Sequence, residues 1–93
     1  MSHQHPHPQS MAGKNFAKAS LAGKDFRGVE LRGANFAGAD LRGADLELAD
    51  LAGANLVSAE LAKANLSWAN LAGAALNEAD LRSADLREAR LNG

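Results

Sequence analysis

The sequence contains no cysteine and no tyrosine, and aromatic residues make up only 4% of the chain. Without cysteine the chain forms neither disulfides nor thiolate metal sites, so its composition does not reveal the redox state of its compartment. No apolar run approaches the ~20 residues of a membrane-spanning helix, and the N-terminus lacks the basic and apolar regions of a secretory signal. These absences predict a cytoplasmic protein that does not enter membranes.

An excess of charge of one sign is also missing. Ten Lys and Arg residues against eleven Asp and Glu residues give a net charge of −1. This balance gives no reason to expect direct nucleic-acid binding. A chain of 93 residues is close to the size at which an ordinary globular core becomes marginal, so its stability must come from a regular arrangement.

A repeat of five residues runs through the chain from residue 9 to residue 93. An alanine stands two positions before the large apolar centre in 13 of the 17 units, and all nine glycines occupy the last place of a unit. The residue directly before the centre is mostly Asp, Asn, Glu or Ser. The centres are Met11, Phe16, Leu21, Phe26, Leu31, Phe36, Leu41, Leu46, Leu51, Leu56, Leu61, Leu66, Leu71, Leu76, Leu81, Leu86 and Leu91.

A period of five residues fits neither a helix nor a strand. In a helix, five residues advance by roughly 500° and scatter the centres around the axis. In a strand, an odd spacing sends successive centres to opposite faces. The pattern is satisfied if the chain turns a corner in every unit, so that the alanine and the centre point inward while the other three positions face water. Glycine at the end of a unit suits such a corner.

Four corners close a square coil of twenty residues, which places Phe16 under Phe36. Successive coils are then expected to stack at the ~4.8 Å spacing of hydrogen-bonded strands. Pro6 and Pro8 both precede the repeats, as expected if the backbone ladder needs the amides of the repeat region. Five glycines form one unbroken column at this spacing: Gly13, Gly33, Gly53, Gly73 and Gly93.

The five-residue segments AGANL, AKANL, RGADL and RSADL, each of which ends at an apolar centre, resemble the pentapeptide repeat family, in which a small residue and Asp or Asn precede Leu or Phe. The resemblance covers residues 9–93 and implies an all-β fold, a right-handed quadrilateral parallel β-helix of about four coils of four pentapeptides. Residues 1–8, MSHQHPHP, form a separate His/Pro segment that we expect to be disordered or tag-like. The units depart from the pattern at Lys14, Lys24, Ala75 and Arg90.

Carboxylates form two columns at the twenty-residue spacing, and two interpretations of them are open. In the first, the columns imitate the backbone of a nucleic acid, since some members of the family that this chain resembles act on DNA gyrase as duplex decoys. In the second, Asp and Asn stand before the centre because their short side chains bond to the amides of the corner. The columns contain Asp40, Glu60 and Asp80, and Asp25, Asp45 and Asp85.

Leu48 and Trp68 are apolar residues at the unit-ending position, where Gly, Ser, Lys or Glu usually stands. They are twenty residues apart, so we expect them on the same side of successive coils. Two adjacent exposed apolar side chains form a small patch, and Trp is strongly enriched at binding hot spots. The sequence therefore predicts an interaction patch at Leu48 and Trp68.

No catalytic, cofactor-binding or metal-binding set of residues stands out. The repeats hold no Cys, Tyr or His, so the usual pairs of nucleophile and base are missing. His3, His5 and His7 alternate in the His/Pro segment, where histidines more often bind metal only adventitiously. The sequence predicts a protein that is not an enzyme and uses no cofactor.

The leading hypothesis is a non-catalytic structural or protein-interaction module of the pentapeptide repeat class, whose partner the sequence does not identify. The alternative is a DNA-mimicking gyrase binder that gives quinolone protection. We also expect a homodimer through the C-terminal coil, where Leu86 and Leu91 present an apolar cross-section without a capping element. Docking two such coils closes the assembly, whereas head-to-tail stacking continues into fibres.

The first prediction concerns secondary structure. Alanine and leucine are strong helix formers, yet the five-residue period is incompatible with a helix. We expect the circular dichroism spectrum to lack the double minimum of a helix and to show β-structure and turns. A strong helical double minimum would rule out the solenoid.

Overall fold

The computed structural model describes residues 10–93, and the predicted His/Pro segment at residues 1–8 lies outside the described residues. The described residues contain neither a helix nor a continuous strand, and therefore no helix long and apolar enough to cross a membrane. Single residues instead form parallel bridges with the residue twenty positions later, from Asn15↔Asn35 to Asn70↔Arg90. The twenty-residue coil is therefore confirmed, but each side of the square holds only one bridged residue, because turns occupy the rest of the unit.

Each unit ends in a tight turn. In a typical unit, the Ala54 N–H donates to the Leu51 carbonyl at 2.9 Å, and Gly53 between them has a φ of +68°. This combination of an i to i+3 bond with a positive φ at the third residue is a type II turn. Every residue with positive φ in the described chain stands at the unit-ending position, with φ from 60° to 96°. The corner predicted from the sequence is confirmed, although eight of these positions carry a side chain.

The amides of each unit find partners in a fixed pattern. In one unit at the middle of the chain, Leu51 and Gly53 donate to carbonyls of the following coil at 2.7 and 2.8 Å, and Asn55 donates to the preceding coil at 2.9 Å. The Ala52 N–H donates to the side-chain Oδ1 of Asp50 at 3.2 Å. With the turn bond, all five amides of the unit are satisfied, which is what a backbone close to a core requires.

The ladder between coils has a direction. Toward the following coil each interior unit presents two N–H groups and one carbonyl, and toward the preceding coil one N–H group and two carbonyls. Pairing the like edges of two copies, as the predicted C-terminal dimer requires, would bring together two edges that each hold more N–H groups than carbonyls and would leave some donors without acceptors. Such a dimer would therefore depend on side-chain contacts more than on a continued ladder.

The core consists of two kinds of inward position, the alanine and the apolar centre of each unit. Phe16 and Phe36 stack with ring centroids 5.0 Å apart and an interplanar angle of 10°, as the spacing predicts. Phe26 meets both rings edge-on, at 6.1 and 6.2 Å. Full burial of one such side chain stabilises the fold by about 1.5–3 kcal/mol. The largest fully buried side chains are Phe36, Leu31, Leu41, Leu46, Leu51, Leu56, Leu61, Leu66 and Leu71.

The four departures from the repeat do not interrupt the coil. Lys14 and Lys24 replace the inward alanine, and both are exposed, while their carbonyls still accept ladder bonds at 2.8 and 2.9 Å. Ala75 and Arg90 replace the residue before the centre, and both still form bridges to the preceding coil. The backbone ladder therefore tolerates these side chains because its bonds do not involve them.

The second prediction tests which positions face inward. Leu51 is fully buried, so Leu51→Asp places a carboxylate without a partner between coils and lowers the free energy of unfolding by about 3–5 kcal/mol. Ala52 begins the turn and faces outward, so Ala52→Asp changes this free energy by less than about 1 kcal/mol. Denaturant unfolding measures both, and equal midpoints for the two variants would contradict the register.

Candidate interaction surface

Leu48 and Trp68 lie where the sequence places them, one coil apart on the same corner of the solenoid. Their amides occupy equivalent ladder positions, with the Leu48 N–H donating to the Ser67 carbonyl at 3.0 Å and the Trp68 N–H to the Arg87 carbonyl at 2.9 Å. They are 62% and 58% exposed and, with Leu91, are the exposed large hydrophobic residues among those described. The two side chains therefore contribute little to the core.

Both residues also occupy a backbone conformation that disfavours them. Their φ angles are 63° and 62°, in the left-handed region, which costs an L-residue roughly 1–2 kcal/mol. Gly28, in the same column, has a φ of 68° and open space around its α-carbon. Six polar corner residues of the described chain share this positive φ, so Leu48 and Trp68 differ from them in their exposed apolar side chains and not in their backbone.

Two shallow pockets flank the Leu48 and Trp68 side chains. The first has a volume of about 400 Å³ and the second of about 430 Å³. Glu47 lines both pockets and lies between them. We call the two pockets together the Trp68 surface; they are lined by Asp25, Arg27, Gly28, Glu47 and Leu48, and by Glu47, Ser67, Trp68, Arg87 and Glu88.

Ser67 is a part of this surface that the sequence analysis missed. It stands at the first position after the centre, which is outward-facing, yet it is only 8% exposed and is the buried polar residue of the described chain. Its hydroxyl donates to Asn65 Oδ1 at 2.7 Å, which satisfies it locally. The twenty-residue spacing, which aligns Glu47, Ser67 and Arg87, is the signal that could have found it.

The carboxylates of the two acidic columns have a local structural role. In both columns the aspartates accept the amide hydrogen two residues later, as Asp40 Oδ1 does from Arg42 at 3.1 Å. Asn35, Asn55, Asn65 and Asn70 make the same bond at 3.0–3.1 Å. Neutral Asn makes the same bond as Asp, so these hydrogen bonds support the second interpretation, in which the side chain before the centre bonds to an amide of the corner.

Arginines neutralise much of the charge in these columns. Arg42 pairs with Asp40 at 2.7 Å and reaches Glu60 in the following coil at 3.3 Å. Arg82 pairs with Asp80 at 2.7 Å. The column of Asp40, Glu60 and Asp80 therefore forms a ladder of ion pairs instead of a row of free charges.

The second column, with Asp25, Asp45 and Asp85, lies beside the Trp68 surface. Arg27 lies 3.1 Å from Asp25 and 3.5 Å from Asp45, and Arg87 lies 2.7 Å from Asp85. Both arginines of the surface are thus already paired.

Glu47 and Glu88 have no ion-pair partner within residues 10–93. Arg27 and Arg87 of the same surface are both held by aspartates. Glu47 still interacts with Arg27 at longer range. Within residues 10–93, the carboxylates of this surface and of the column beside it nevertheless outnumber its two arginines.

Hydrogen bonds from arginine also shift the titration of three aspartates. The side chain of Arg87 lowers the pKa of Asp85 to about 2, and Arg42 and Arg82 lower the pKa of Asp40 and Asp80 to about 2 in the same way. Because the pKa is lowered by folding, these pairs stabilise the fold above the ordinary carboxyl pKa near 4 and lose this effect as the pH falls toward 2.

The repeats match the family model of pentapeptide repeats, in eight copies over residues 15–47, 30–67 and 64–93. Among solved structures, the chain is similar to HetL, a pentapeptide repeat protein involved in heterocyst differentiation regulation in the cyanobacterium Nostoc. The TM-score is 0.50 and the identity 35%, over 86% of this chain and 39% of HetL. No curated protein matches the chain.

Two further solved structures are similar. A pentapeptide repeat protein of the Arabidopsis thaliana thylakoid lumen gives a TM-score of 0.53 at 35% identity, over 89% of this chain and 61% of that protein. Rfr23 of the cyanobacterium Cyanothece gives 0.53 at 28% identity, over 95% and 67%. The chain thus spans less than two thirds of HetL and of the Arabidopsis protein.

The third prediction tests whether Leu48 and Trp68 serve the fold. We expect Leu48→Gly and Trp68→Gly each to leave the free energy of unfolding unchanged or to raise it by up to about 1 kcal/mol, because glycine accepts a positive φ without strain. Lys63→Gly is the control, since Lys63 has a φ of 65° elsewhere on the solenoid. If the Leu48 and Trp68 variants are clearly less stable than the Lys63 variant, the two side chains have a structural role.

The fourth prediction concerns Asp85. Arg87→Gln removes the guanidinium that holds the Asp85 pKa down, so we expect this pKa to rise from about 2 toward the ordinary value near 4. An NMR titration of the Asp85 carboxyl carbon measures it. Arg82→Gln, which removes the partner of Asp80 instead, should leave the Asp85 titration unchanged; the same shift in both variants would contradict the pairing.

Proposed function

Since this chain belongs to the pentapeptide repeat family, we propose that it is a non-catalytic interaction module whose β-solenoid presents the Trp68 surface to a protein partner. The solved neighbours share the right-handed quadrilateral β-helix of the family. One observation carries the proposal: Leu48 and Trp68 are exposed on successive coils in a left-handed conformation. Exposing two large apolar side chains side by side gives no advantage to the isolated fold.

The scaffold suits this role because it is uniform. The same backbone hydrogen-bond pattern recurs in every interior unit, and the core alternates alanine with leucine or phenylalanine. Outward side chains can therefore vary without loss of the coil, as the departure at Ala75 shows. Substitutions at outward positions can therefore place a binding residue on any column and any coil of the solenoid.

A binding role also suits the shape and chemistry of the surface. Its two pockets are shallow and lined by side chains that project from a corner, which gives a reaction little protection from water. Within residues 10–93 no three His, Cys, Asp or Glu side chains are placed to hold a metal ion. HetL, which has a similar fold, is involved in the regulation of heterocyst differentiation. Regulation of this kind can proceed through binding alone.

The test compares capture of proteins from the native host by three baits: the wild-type chain, Leu48→Ser/Trp68→Ser, and Glu78→Ser. Serine tolerates the corner, since Ser58 and Ser83 each have a φ of 61°. We expect at least one protein to be retained by the wild type and by Glu78→Ser, which changes a corner residue in another column, and lost by the double variant. If every captured protein binds all three baits equally, the Trp68 surface is not the contact.

The gyrase hypothesis leads to a different result. A duplex decoy needs a row of free negative charge, and in this chain Asp40, Asp80 and Asp85 are each paired with an arginine. We therefore expect DNA supercoiling by gyrase to be unchanged by micromolar protein, with and without a quinolone. Inhibition or quinolone protection would support the DNA mimic and contradict the proposed module.

A further inference from the structure

We propose that the Trp68 surface binds a basic, apolar peptide segment, in which an aliphatic side chain lies next to an Arg or Lys. This inference rests on the proposed function and specifies the chemistry of the partner. It follows from two features of the surface taken together, its exposed apolar pair and the sign of the charge that remains unpaired beside that pair.

The apolar part of the segment follows from Leu48 and Trp68. Both side chains are more than half exposed, and each lines one of the two pockets. Gly28 contributes no side chain beside Leu48, which leaves open space in the first pocket. An aliphatic side chain placed in this space removes apolar surface from water on both partners, at about 25 cal/mol per Å².

The basic part follows from the ion pairs of the surface. Arg27 and Arg87 pair with Asp25, Asp45 and Asp85 at 2.7–3.5 Å, so part of their positive charge is already compensated although both side chains remain exposed. Glu47 and Glu88 have no such pair within residues 10–93. A cation that approaches the surface therefore meets an excess of carboxylates, two of them without a close ion pair, whereas an anion meets arginines that are already paired with aspartates.

The position of Glu47 joins the two parts. It lies between the pockets and lines both of them, so a cation bonded to it stays within reach of an apolar group in either pocket. The exposed indole of Trp68 offers a second favourable contact, since cations are attracted to the face of an aromatic ring. A guanidinium suits this place better than an ammonium because it stacks on the ring while it bonds to a carboxylate.

The test titrates the intact chain with three capped peptides: acetyl-Arg-Leu-Leu-Arg-amide, acetyl-Glu-Leu-Leu-Glu-amide and acetyl-Arg-Ser-Ser-Arg-amide. Trp68 is the only tryptophan of the chain, so its fluorescence reports the surface directly, and backbone NMR shifts locate the contact. We expect the Arg-Leu peptide to bind saturably with shifts confined to the Trp68 surface, and the other two to bind at least about tenfold more weakly.

Variants of the chain distinguish the contribution of charge to peptide binding from the contribution of the apolar contact. Glu47→Gln should weaken the Arg-Leu peptide at least about fivefold, and Glu78→Gln, which removes an exposed carboxylate at another corner, should not. Trp68→Ser, followed by NMR, should abolish binding. Equal binding of the Arg and Glu peptides, equal effects of the two Gln variants, or no saturable response would overturn the proposal. Shifts of the same residues with protein concentration alone would assign the surface to a second copy and overturn it as well.

The two proposals fail in different ways. If a host protein is lost from the Leu48→Ser/Trp68→Ser bait but the Arg-Leu peptide does not bind, the surface is a contact and only its inferred chemistry is wrong. If neither a host protein nor the peptide depends on Leu48 and Trp68, the proposed function fails together with the inference.

Discussion

The backbone ladder between coils is the interaction on which the rest of this molecule depends. The ladder requires each unit to turn by the same amount. Each turn requires a residue with positive φ at the corner. With that geometry fixed, the interior has room for one small and one large side chain per unit, which is the alanine and leucine pattern of the sequence. The core therefore results from the ladder as much as it supports it.

The repeat made most of the fold predictable. The spacing of Phe16 and Phe36 predicted their stacking, and the glycine column predicted the corner. Handedness came only from the resemblance, because a five-residue period is the same in either hand. The sequence also did not show that a continuous strand would be absent from the described residues, since this depends on how much of each unit the turn occupies.

The sequence predicted the position of the candidate interaction surface, but not the burial and the pockets around it. A period of twenty placed Leu48 beside Trp68 on successive coils. The burial of Ser67 and the two pockets that share Glu47 depend on the conformations of individual side chains, which the repeat does not specify. Likewise, the carboxylate columns were visible in the sequence, but the choice between charge display and corner closure needed the bonds of individual residues such as Asp40.

The twenty-residue coil also limits how this chain can change its length. Inserting or deleting one five-residue unit keeps every inward position inward, but it rotates all later units by one side of the square. If the change falls between Leu48 and Trp68, Trp68 leaves the corner that holds Leu48, although the inward pattern of the remaining units is kept. Only changes of a whole coil keep the columns aligned, so the surface and the core tolerate different lengths. A binding surface built across coils is thus erased by length changes that the fold itself accepts.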